Sequence, residues 1–93
     1  MNAEKTKDWI FLLRALTYGI QQTPDPLQYV DRAIFEAVDA AALKSSPEQY
    51  LAAVRTGLAS NEDLSVPLFQ NKSDAVLRDF LRSVERKLVE RLK

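Results

Sequence analysis

Histidine and cysteine are both missing from the 93 residues of this chain. Imidazole is the one side chain that titrates near neutral pH unaided, and thiolate is the best natural nucleophile. Their absence excludes His/Cys metal sites and the Ser-His-Asp and Cys-His forms of nucleophilic catalysis. It also excludes disulfides, which fits a reducing compartment.

Glycine is almost as scarce, with only Gly19 and Gly57. Glycines so far apart build no phosphate-cradling loop. Strands joined by tight turns need more of them, so helices are favoured. Long apolar runs are missing too. Trp9-Ile10-Phe11-Leu12-Leu13 is broken by Arg14, too soon for a signal-peptide core or a bilayer span. Net charge is absent, with 13 basic and 13 acidic residues, so no overall field draws the chain to nucleic acid or anionic lipid. The acidic residues match no metal pattern: no Glu-x-x-His occurs, and Asn61-Glu62-Asp63 lacks calcium-loop spacing. The expectation is a cytoplasmic protein, off the membrane, that is no enzyme and holds no metal or cofactor.

What is present is the composition of a folded globule, 46% hydrophobic and 28% charged. Punctuation divides it into helices. Asp25-Pro26-Leu27-Gln28 and Ser46-Pro47-Glu48-Gln49 each place a capping residue before proline and a Gln at N3. This is the chemistry of a capping box with proline at N1. Ser73 is the cap of a last helix that begins at Asp74. The chain therefore reads as all-α, a single compact four-helix domain over residues 1–93 with helices near 4–21, 26–44, 47–59 and 74–92. The first starts at about Glu4 or Lys7.

Helical periodicity assigns the core. Trp9, Leu13, Leu16 and Ile20 share one face of the first helix. The second buries Leu27, Val30, Ile34, Ala37, Val38 and Ala41, and its alanines, Ala33, Ala40 and Ala42 among them, permit close packing. Tyr50, Leu51, Val54 and Leu58 serve the third, where Gly57 weakens the helix or marks its turn. Leu77, Leu81, Val84, Leu88 and Leu92 form the stripe of the fourth, flanked by Phe80. Residues 60–72 read as an ordered loop with one short helical turn, its Leu64, Val66, Leu68 and Phe69 pinned to the core.

Three features exceed what a bundle needs. The first helix is apolar on both sides: Phe11 and Tyr18 lie opposite the core face, with Lys7 and Arg14 beside them. Either the domain wraps this helix, with residues 60–72 covering Phe11, or the helix is half of an interface, where aromatics mixed with arginine are typical. The second is a basic ridge of Arg78, Arg82, Arg86 and Lys93 on the last helix, which is either a solvated face with i,i+3 and i,i+4 pairs or a grip for an acidic partner. Residues 71–93 carry net +3 and residues 25–63 net −4, so the two segments have the charges to pair with each other. The third is the acidic side of the second helix, Asp31, Glu36 and Asp39 around Arg32, read as solvated charge.

Thr23-Pro24 followed by Tyr29-Val30-Asp31-Arg32-Ala33-Ile34 resembles the helix-opening phrase of some small helical immunity proteins from interbacterial toxin systems. The resemblance implies a neutralising role toward a protein partner in a bacterial cell. The expected function is accordingly that of a protein-binding module, a regulator, adaptor or neutralising partner, using Phe11, Arg14, Tyr18, Arg78, Arg82 and Arg86. The partner is another protein, with an acidic surface as the natural complement. A self-associating subunit is one alternative. A nucleic-acid-binding regulator using the ridge is the other, disfavoured because no aromatic interleaves with the arginines.

Overall fold

The computed structural model describes residues 8–39 and 46–93. Among these the chain is all-helical. Helix α1 spans Asp8–Thr17 and tightens into a 3-10 turn over Tyr18–Gln22. Thr23 then turns extended, at φ −113° and ψ 138°, as a residue before proline must. A second 3-10 turn, Pro26–Tyr29, leads into helix α2, Val30–Ile34, which widens into a π turn over Phe35–Asp39. Helices α3, Pro47–Ala59, and α4, Asp74–Arg91, complete the fold. The expected starts at Glu4 or Lys7 and the stretch holding Ala40, Ala41 and Ala42 lie outside the described residues.

The core follows the periodicity. Leu13, Leu16 and Ile20 of the first segment, Tyr50 and Val54 of α3, and Leu77, Phe80, Leu81, Val84 and Leu88 of α4 are fully buried. Trp9, Val38, Leu51 and Leu58 pack at the edge of that cluster. Leu92, at the C-cap of α4, is half exposed. Helix α1 packs mainly on α3, and α3 on α4. Gly57 makes the first of these contacts close: a Cβ there would stand 2.6 Å from Leu13 Cδ1. It therefore serves as a helix-crossing point within α3 rather than as a turn, and the helix continues to Ala59.

The two capping phrases diverge. Ser46 forms the full box, its hydroxyl accepting from Gln49 N at 3.2 Å while Gln49 Oε1 accepts from Ser46 N at 2.7 Å. The Asp25 side chain makes no cap. Prolines at 24 and 26 hold this residue in an open conformation, φ −129° and ψ 89°, and Gln28 N donates to its main-chain carbonyl instead, at 3.2 Å. The following turn is 3-10, with three residues per turn, which shifts the buried phase: Pro26 is buried and Leu27 exposed, the reverse of the expectation. Ser73 caps α4 as read, accepting from Val76 N at 3.3 Å.

No described helix is long and apolar enough to cross a membrane.

Candidate protein-binding surface

The outer face of α1 stays open. Phe11 is 57% exposed and Tyr18 77%, so the loop does not cover Phe11. Both side chains belong to the stripe 11-14-18, one face of a helix by its i,i+3,i+7 spacing. Arg14 occupies the middle of that stripe.

The loop between α3 and α4 comes up against this stripe. Residues 64–69 form one helical turn closed by Leu68 N to Leu64 O at 3.1 Å. The turn ends in a Schellman arrangement, with Gln70 N donating to Ser65 O at 3.0 Å and Phe69 N to Val66 O at 3.2 Å. The residue at C′ of that motif adopts the left-handed conformation, usually reserved for glycine. Here it is Phe69, at φ 54°. Leu64 and Leu68 point into the core, whereas Phe69 and Val66 are 71% and 69% exposed. The expectation that all four are pinned inward is thus half corrected: the motif turns the second pair outward.

Polar straps tie the turn to the first helix. Arg14 Nε donates to Pro67 O at 2.8 Å, Gln21 Nε2 to Phe69 O at 3.1 Å and Gln70 Nε2 to Thr17 O at 2.9 Å. Asn71 Nδ2 reaches Gln21 O at 3.3 Å. The guanidinium carbon of Arg14 lies 4.2 Å from the centre of the Phe69 ring, within cation–π range. Arg14, between Phe11 and Tyr18 on the stripe, is thereby joined by Phe69, which the sequence reading placed inside. The signal for it was faint, because left-handed C′ positions announce themselves through glycine or asparagine and this one does not.

The arginines of α4 do not form one ridge. Arg78 is turned inward, its side chain only 16% exposed. It donates to Asp74 Oδ2 at 2.9 Å and to the carbonyls of Leu58, Ser60 and Glu62 at 3.0, 2.7 and 2.9 Å. Three freed carbonyls at the end of α3 and start of the loop are satisfied by this one side chain, so Arg78 acts as a structural clamp with most of its donors engaged inside the fold. Asp74 completes the clamp by accepting from Leu64 N at 2.8 Å. That backbone hydrogen bond, helped by Arg78, holds the Asp74 carboxyl below its ordinary value of 3.8. Arg82 stays exposed beside Asp79, at 3.0 Å, and Arg86 is exposed.

The acidic side of the second helix is paired with its surroundings. Asp31 faces Lys87 at 3.7 Å, and Asp39 pairs with Arg91, which joins the negative and positive segments within the molecule. Glu36 accepts from the Tyr29 hydroxyl at 2.7 Å and from Arg32 Nε at 3.1 Å. The Tyr29 bond, then the Arg32 bond, lowers the Glu36 pKa, while the Glu36 bond raises that of Tyr29. Both shifts run away from neutrality, opposite to what an acid–base pair working near pH 7 needs. Tyr29 packs over Gly19, where a Cβ would meet its hydroxyl at 2.2 Å. Together with Tyr18, Arg32 and Glu36 they line a cleft of about 440 Å³. Among the described residues no group of three or more acidic side chains is arranged to hold a metal ion.

Comparison with known proteins finds no matching family model, no matching curated protein and no matching solved structure.

Proposed function

We propose that this chain is a protein-binding module whose working surface is Phe11, Arg14 and Tyr18 together with Val66 and Phe69. It acts as a regulator, adaptor or neutralising partner in the cytoplasm and leaves bond-making to others. The observation that carries this reading is Phe69: an aromatic ring kept exposed from a left-handed backbone position. A bulky residue there costs about 1–2 kcal/mol relative to glycine. The strain is sustained by four side-chain straps to the segment that displays Phe11 and Tyr18. Exposed aromatics around an arginine are the composition of binding hot spots.

The test is capture from the native host on the immobilised chain, compared with two baits, Phe11→Ser/Tyr18→Ser and Phe69→Gly. Proteins retained by the parent chain are expected to be lost from both variants, while their melting curves stay cooperative. Retention of the same proteins by both variants would sink this reading.

A further inference from the structure

Arg14 has a guanidinium that the fold has positioned but not used up. Its Nε is committed to Pro67 O at 2.8 Å and its guanidinium carbon sits over the Phe69 ring at 4.2 Å. Of the five N–H donors of an arginine, four belong to the two Nη groups. Among the described residues these have no hydrogen-bond partner, and no carboxylate pairs with them. Among the described residues, Phe11 and Tyr18 on the same helical stripe and Phe69 against the guanidinium carry no charge. Among the described residues the surface therefore offers an oriented cation between exposed aromatic side chains, with part of its torsional freedom removed in advance and no carboxylate competing for it.

We infer that this surface is a receptor for a partner segment that places a carboxylate between two apolar side chains. The inference rests on the functional reading above and adds the chemistry of the partner. The carboxylate seats on the Nη groups of Arg14, in the fork geometry that suits the pair, and the apolar groups cover Phe11 and Tyr18. Those two residues are seven positions apart, about 10 Å along a helix. An amphipathic helix with apolar residues at i and i+7 and Asp or Glu at i+3 or i+4 presents the matching spacing. A second copy of the chain is a poor occupant. A two-fold interface sets a patch against itself, and this patch would meet its own cation with no anion to answer it.

A random peptide library displayed on phage and panned on the intact chain provides the probe. Selected peptides are resynthesised with the acidic residue replaced by its amide, and binding is measured by fluorescence anisotropy, with the contact mapped by backbone amide shifts. Clones should carry Asp or Glu between apolar residues and perturb the neighbourhood of Phe11, Tyr18 and Phe69. The acid-to-amide change should weaken binding about tenfold or more, and Arg14→Gln should abolish the difference between acid and amide. The peptide substitution leaves the fold of the receptor untouched, so it decides the matter even where Arg14→Gln loosens the loop. Clones that bind this surface equally well as acid and amide overturn the carboxylate receptor while leaving the binding module standing. Clones that map elsewhere, or none enriched, overturn both. A single-stranded oligonucleotide that shifts these same amides reassigns Arg14 to phosphate and overturns the inference.

Discussion

Two arginines hold the same loop in opposite ways. Arg78 enters it from α4 and spends its donors on Asp74 and three carbonyls between residues 58 and 62. Arg14 reaches it from α1, spends Nε on one carbonyl and rests against a ring. The first closes a corner that would otherwise leave helix-end carbonyls without partners. The second supports the loop with the least of its hydrogen-bonding capacity and keeps the remainder facing outward. An arginine's role is thus decided by how many of its donors the fold consumes, and neither the residue type nor helical phase reveals that number.

The contrast is easiest to break at Arg78. Arg78→Ala should cost about 3 kcal/mol, because several partners, one of them a carboxylate, are stranded at once; urea denaturation measures it. Arg14→Ala should cost only about 1 kcal/mol, one hydrogen bond and one ring contact. Equal losses in the two variants would erase the distinction.

Phe69→Gly tests the other half of the comparison. Relief of the left-handed conformation should stabilise the fold by about 1 kcal/mol, less whatever the ring contact with Arg14 contributes, while association is lost. A variant that is both less stable and still binding would show that the ring belongs to the fold.

Acid sharpens the contrast further. The Asp74 carboxyl is held below its ordinary value of 3.8 by the Leu64 amide and by Arg78. The unfolded chain thus takes up that proton at a higher pH than the folded one. The stabilisation is present above about pH 4 and is lost as pH falls through the lower folded value. Asp74→Asn should be less stable than the parent at pH 7, and the gap should narrow as pH falls below about 4; parallel pH profiles would contradict the clamp. The smallest effect is expected from Phe11→Ser/Tyr18→Ser. Both side chains are exposed, so the melting point should move by no more than a degree or two while partner capture fails.

Much of the architecture was legible in the sequence where the signals are local. The Ser46 box and the Ser73 cap involve partners three residues away, and the core stripes of α1 and α4 follow from helical phase alone. Asp25 misled because its two flanking prolines override the cap that its own side chain offers. Phe11 and Tyr18 were readable as an outer face for the same reason as the core: they lie in the complementary phase. Phe69 and Arg78 were not. The orientation of Phe69 depends on a Schellman motif without its signature glycine, and that of Arg78 on carbonyls 16 to 20 residues away. Such contacts exist only after the helices have docked.

The strap from Arg14 to Pro67 joins positions 53 apart in the chain. A chain elongating from its N-terminus displays Phe11 and Tyr18 long before Phe69 exists, and a half-assembled molecule shows two rings without the third. If a partner requires all three rings, as proposed, its binding would respond to the finished tertiary structure and would pass over nascent copies that bear only the first helix.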